Sequence, residues 1–113
     1  MAEVGAGTGR FSHFLRRRLA ELDPKIEAKA KLLASDLRGS TGDAAEEFEV
    51  EKLDYKVALK KHNPGIVIVS WMSKDLDMTP DFRSKQGLHE YILIGEVDYG
   101  ASGTPGGTWG MQR

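Results

Sequence analysis

The chain has 113 residues, enough for one compact domain, and a formal net charge of −1, which gives no long-range field toward nucleic acid. It contains no cysteine, which excludes disulfides and thiol chemistry and fits a reducing compartment. No apolar run reaches the length of a membrane span and the first residues lack the apolar core of a secretory signal, so a cytoplasmic or nuclear protein without membrane association is expected.

The first predicted elements are a strand, a glycine turn and a helix. Glu3 stands two places before Gly5-Ala6-Gly7-Thr8-Gly9, and Phe11, Phe14, Leu15, Leu19 and Leu22 follow at helical spacing. Glycine has no Cβ, so such a turn brings main-chain N–H groups and a helix N-terminus up against a ligand. A phosphate-binding P-loop needs Gly-Lys-Ser/Thr at its end, whereas Gly9 is followed by Arg10 and Phe11. A dinucleotide fingerprint needs its third glycine at the sixth place, which Arg10 occupies, and that bulk opposes close packing of helix on strand. Only Met1 and Ala2 precede Glu3, against a usual strand length of about five to six residues, so the first strand is expected to be trimmed. A fragment, a shortened gene product and a misplaced start all fit that expectation.

The helix is expected over Arg10 to Leu22, ended by Asp23-Pro24, with a further helical turn or two over 25–31. Arg16-Arg17-Arg18 reads as a solvated helix face. Leu32 to Asp36 reads as a short buried strand closed by an acidic residue, and Gly39-Ser40-Thr41-Gly42 marks a loop. Asp43 to Glu47 suits one helical turn, and Phe48 to Leu53 a third strand. The link between these strands is near the lower limit of about ten residues for a parallel crossover. Asp54 then sits at the N-cap of a helix over Tyr55 to Lys61.

Asn63-Pro64-Gly65 is a break. Ile66-Val67-Ile68-Val69 is four consecutive β-branched residues, the pattern of a central strand covered on both faces. It runs into Ser70-Trp71-Met72, where Trp71 either walls a pocket or simply packs. Thr79-Pro80-Asp81 starts a helix, and Tyr91-Ile92-Leu93-Ile94 forms a fifth strand ahead of Glu96. The glycine-rich stretch from Asp98 to Gly110 is expected to be irregular, either a lid over a pocket or a disordered end. His13, His62 and His89 are scattered without metal-ligand spacing, so no metal is expected, and Asp75 and Asp77 read as solvated loop carboxylates. Ser12-His13 are chain neighbours, which does not make a nucleophile and base face each other. Without repeats or linkers, residues 1–113 form a single domain.

The acidic residue, the Gly5-x-Gly7-x-Gly9 turn and the helix after it resemble motif I of the class I S-adenosylmethionine-dependent methyltransferases. The blocks Ser70-Trp71-Met72, Glu90-Tyr91-Ile92-Leu93-Ile94-Gly95-Glu96 and Thr108-Trp109-Gly110 are similar to a group of eukaryotic methyltransferase-like proteins. The resemblance runs through nearly all of the chain. It implies an α/β fold: a Rossmann-like open parallel sheet of order 3-2-1-4-5 with helices on both faces, truncated at the first strand and lacking the family's final antiparallel pair. It implies S-adenosylmethionine as cofactor. Gly5, Ala6, Gly7 and Gly9 would line its methionyl part, and Glu3 would face its ammonium directly or through water. Asp36 would bind the ribose hydroxyls and Asp54 would lie near adenine. Ser70 and Trp71, at the carboxyl end of the fourth strand, would face the transferring methyl group. Carboxylates suit these tasks because each accepts several hydrogen bonds at once.

Methyl transfer needs alignment more than acid–base chemistry, and positioning alone supplies about 7–11 kcal/mol in the best cases. No catalytic residue is therefore implied, and the acceptor stays unidentified; Ser73 to Gln86 and Ala101 to Trp109 are the segments placed to select it. The alternative is a catalytically inactive, truncated member of the same fold acting as a protein-association module. Its exposed sheet edges would then seek a second copy or a partner protein. A nicotinamide-binding reductase is disfavoured by Arg10.

Overall fold

The computed structural model describes residues 1–25, 31–37, 50–96 and 100–111. Five parallel strands form one open sheet in the order β3-β2-β1-β4-β5. They are β1 (Ala2–Val4), β2 (Leu33–Asp36), β3 (Glu51–Lys52), β4 (Ile66–Ser70) and β5 (Glu90–Ile94). Helices α1 (Arg10–Leu22), α2 (Tyr55–His62) and α3 (Thr79–Ser84) lie between them in the chain. This is the doubly wound, Rossmann-like order, with the direction of winding reversing between β1 and β4. The turn expected over Asp43 to Glu47, the loop at Gly39 to Gly42, and Phe48 lie outside the described residues.

β1 is short, and it sits at the centre of the sheet. Ala2, Glu3 and Val4 are all buried, and the strand pairs on one side with Leu33, Ala34 and Ser35 and on the other with Val67 and Ile68. Alternation along the strand sends Val4 and Glu3 to opposite faces. On Val4's face lies the main core: Val4, Val67 and Val69 cluster with Ala58 and Leu59 of α2 and Phe82 of α3. The Phe82 ring meets those of Tyr55 and Tyr91 at centroid distances of 6.4 and 5.4 Å. On the other face Glu3 meets Ser12 of α1. Helices thus cover both faces.

The α1 bounds agree with the sequence reading, but the helix is rotated from the expected stripe. Ser12 is its buried residue, while Phe11, Phe14 and Leu22 are exposed. The polar contact to Glu3 decides this, since a buried carboxylate without a donor is costlier than a half-exposed phenyl ring. Arg16 is also not solvated as expected. Its guanidinium donates twice to the Leu32 carbonyl, at 3.0 and 2.7 Å, and Leu33, not Leu32, opens β2. Arg18 does lie outside, paired with Glu21.

The third strand is shorter than expected, Glu51–Lys52 within the described part of Phe48 to Leu53. The ladder still extends through the Leu53 N–H to the Asp36 carbonyl at 3.0 Å, and then Asp54 turns the chain into α2. The segment 100–111 is irregular, as expected, but it is held by defined hydrogen bonds and is not shapeless. Its Gly103 N–H donates to the Met72 carbonyl, and the Gly103 carbonyl accepts from Asp75, both at 3.0 Å. Trp109 Nε1 donates to the Ser102 carbonyl at 2.8 Å, and Thr108 Oγ1 donates to Asp77 Oδ1 at 3.0 Å. Asp77 also accepts from the Thr79 N–H and hydroxyl, so it is a structural carboxylate and not a solvated one.

Candidate functional site

The carboxyl ends of β1, β2 and β4 converge where the winding reverses, the place at which open α/β sheets bind ligands. The turn after β1 is shaped there by its glycines. Gly5, Gly7 and Gly9 have φ of 62°, 59° and 79°, the left-handed region that side chains disfavour. The Ala6 N–H donates to the Ser35 carbonyl and the Gly9 N–H to the Ala6 carbonyl, each at 2.9 Å. The Gly7 N–H donates to Asp36 Oδ2 at 2.9 Å. The turn is thereby fastened to the end of β2 before any ligand arrives.

Two clefts open beside this turn. The first, about 380 Å³, is lined by Glu3, Gly5, Ala6, Gly7, Thr8, Arg10, Phe11, Asp36, Ser70, Trp71 and the side of β4 that continues to Met72 and Ser73. The second, about 390 Å³, is lined by Asp54 and Tyr55 with the apolar side chains Leu37, Leu53 and Leu76. Gly5, Asp36, Ser73 and Met78 border both, so the two clefts meet around the glycine turn. Each lies within the range of about 300–1,000 Å³ usual for small-molecule sites.

The structure therefore gathers Glu3, Gly5, Ala6, Gly7, Asp36, Ser70 and Trp71 on one cleft and puts Asp54 on its neighbour. Gly9 is buried as the N-cap of α1 and does not line either cleft, so its part is to let the chain enter the helix. A Cβ on Gly7 would meet nothing within 4 Å, and one on Gly5 would touch only Met78 Cε at 3.8 Å. Glycine is demanded at these places by backbone conformation, and Gly7 faces open cleft.

Glu3 is 1% exposed and accepts from Ser12 Oγ at 2.7 Å. Burial pushes its carboxyl above the ordinary value, against the lowering effects of Ser12 and the Arg16 charge. Asp54 caps α2, accepting from the Lys56 N–H at 2.9 Å, and borders the second cleft at the same time. Tyr55 donates to Asp81 Oδ2 at 2.5 Å; burial first, then that bond, raise its phenol above the usual range.

Trp71 is 60% exposed with φ 57° and borders the first cleft. Its N–H donates to the Ile94 carbonyl at 2.7 Å, fixing the backbone while the indole stays at the cleft. Sequence reasoning did not identify Arg10, Phe11, Met78, Leu37 or Leu76 as lining residues. Phe11 stood in the expected buried stripe, Arg10 opens α1, and Leu37, Leu76 and Met78 come to the site through connecting segments with no periodic signal. Neither cleft is lined by residues 100–111. Among the described residues no group of three or more His, Asp or Glu is arranged to hold a metal ion, and no helix is long and apolar enough to cross a membrane.

Comparison with protein-family models, with curated proteins and with solved structures gives no match to this chain.

Proposed function

We propose that the chain binds S-adenosylmethionine across the two clefts and transfers its methyl group to a small acceptor. The observation that carries this reading is the meeting of three strand-end carboxylates, Glu3, Asp36 and Asp54, around a glycine turn whose Gly7 faces open space. Glu3 suits an ammonium, Asp36 a pair of neighbouring hydroxyls, and Asp54 an exocyclic amino group. Asp36 accepts from the Gly7 N–H and borders both clefts, next to the glycine turn. Leu37, Leu53 and Leu76 give the second cleft apolar walls suited to a flat heterocycle.

When bound, the cofactor would supply an electrophilic methyl carbon with a neutral thioether as its leaving group, and the acceptor would supply the lone pair and give up its proton to water. The chain's own task is to hold the partners in line, with Ser70 and Trp71 at the end of β4 bordering the reacting region. Calorimetric titration of the full chain with S-adenosylhomocysteine tests this directly. Saturable heat at one site supports the reading; a folded sample that gives no heat and no thermal shift rejects it.

A second reading is favoured by a separate observation. Ile92, on edge strand β5, is 41% exposed, and Phe14 and Leu22 of α1 are 48% and 62% exposed. Unpaired edges and apolar side chains of this kind suit association with another chain. Light scattering separates the readings: a dimer blind to S-adenosylhomocysteine favours association, and a monomer that binds it favours methyl transfer.

A further inference from the structure

We infer that the methyl acceptor is an aromatic carboxylic acid, lying against Trp71 and Phe11 with its carboxylate on Arg10. The inference rests on the methyl-transfer reading and names the substrate class of that same site.

The first cleft has two chemically different parts. The part shared with the second cleft carries Asp36 and suits the cofactor's polar hydroxyls. The part not shared carries Arg10, Phe11 and Trp71 beside Glu3, Ala6, Gly7, Thr8 and Ser70; of these, Glu3 is 1% exposed and held by Ser12. That combination of one cation and two rings is what a flat anion requires: rings give large rigid contact area, and a guanidinium grips a carboxylate with two parallel hydrogen bonds.

Trp71 gives the first independent sign. Its left-handed backbone is disfavoured for a bulky residue, and at 60% exposure its ring recovers little by packing. Strain that packing does not repay marks positions held for contact with a ligand. Arg10 gives the second. It is exposed, forms no ion pair among the described residues, and has its guanidinium 6.0 Å from the Phe14 ring centre. A cation left at a cleft mouth beside rings favours an anionic guest and repels an amine or a basic peptide. The acceptor's ring hydroxyl then supplies the lone pair for the transfer and releases its proton to water.

The test uses the full chain saturated with S-adenosylhomocysteine and titrated with three probes that share a 4-hydroxyphenyl ring: 4-hydroxybenzoate, 4-hydroxybenzamide and 4-hydroxybenzylamine. The acid is expected to bind at least tenfold tighter than the neutral amide, with the amine weakest. Arg10→Gln should erase the preference for the acid while leaving S-adenosylhomocysteine affinity within about twofold. Trp71→Gly, which tolerates the backbone angle, should weaken the acid and the amide together. Equal binding of acid and amide by a chain that takes up S-adenosylhomocysteine overturns the inference and leaves the cofactor reading standing. So does an Arg10→Gln effect confined to S-adenosylhomocysteine, which would assign Arg10 to the cofactor's own carboxylate. A wild-type chain that takes up no S-adenosylhomocysteine removes both readings.

Discussion

Ser12 Oγ donates to Glu3 Oε1 at 2.7 Å, and the two residues are 0% and 1% exposed. This pair joins the centre of the sheet to α1, and it fixes which side of that helix faces inward. Replacing Ser12 by Ala leaves the Glu3 carboxylate without its nearest donor. A buried acceptor so deprived costs about 1–3 kcal/mol. The urea midpoint of Ser12→Ala should fall by the corresponding amount at unchanged slope. A variant as stable as the parent would mean that water or main chain replaces the hydroxyl.

Burial also gives Glu3 a pH dependence of definite sign. Its carboxyl is raised in the folded chain, so the native state holds the proton more tightly than the unfolded one. Below the unfolded carboxyl value of about 4.3 both states are protonated and burial of the group is tolerated. As pH rises through the native value, that stability is lost. Glu3→Gln carries no charge to desolvate, so its urea midpoint should gain on the parent as pH is taken from 5 to 8. A difference that stays flat over that range would show that burial does not govern this carboxyl. An ammonium ligand works the other way, because it favours ionised Glu3. Parent affinity for S-adenosylhomocysteine should therefore fall as pH is lowered toward 5, and Glu3→Gln should bind weakly at every pH.

Much of the frame was legible because its signals are local. Helix α1 follows from the 3.6-residue spacing and the Asp23-Pro24 stop, α2 from Asp54 at its N-cap, and β4 from four β-branched residues in a row. The glycine turn was legible because glycine adopts its three positive φ angles without the strain a side chain would bring. What could not be read depends on contacts between distant residues. The inward side of α1 is set by Glu3, nine residues before Ser12, and not by the phenylalanines that dominate the apolar pattern. The order in 100–111 is set by main-chain bonds to Met72 and Asp75 and by Thr108 on Asp77, none of which has a sequence period. Arg10 and Phe11 reach the cleft because the helix begins right at its edge.

Gly7 separates a conformational demand from a steric one. At φ 59° any side chain is strained, by roughly 1–2 kcal/mol for an L-residue, yet a Cβ there meets no atom within 4 Å. Gly7→Ala should fold with that modest loss in stability. Gly7→Val should fold less well and, in the fraction that is native by circular dichroism, bind no S-adenosylhomocysteine, since its branches stand in the cleft. Retained binding by Gly7→Val would place the ligand elsewhere.

Asp54 serves α2 and borders the second cleft, so one substitution should move two quantities. Loss of its bond to the Lys56 N–H should cost about 0.5–2 kcal/mol, read as a lower melting temperature for Asp54→Ala. Asp54→Ser restores a capping oxygen but removes the negative charge and shortens the reach into the cleft. Its stability should return toward the parent while S-adenosylhomocysteine affinity remains reduced. If Asp54→Ser recovers both, the carboxylate is a cap and nothing more.

The 100–111 segment offers the complementary case, in which stability changes and binding does not. Trp109→Phe keeps an aromatic ring but deletes the N–H that donates to the Ser102 carbonyl at 2.8 Å. Net loss of one such bond is worth about 0.5–1.5 kcal/mol, and the Ser102 carbonyl loses its indole donor. Hydrogen exchange around Ser102 and Gly103 should accelerate first, because Gly103 ties this segment to Met72. S-adenosylhomocysteine affinity should stay within about twofold of the parent, since neither cleft is lined by these residues. A tenfold loss of affinity in Trp109→Phe would instead mean that the segment closes over the ligand when one is bound, and that its rest position, fastened to Asp75 and Asp77, is the open state of a lid.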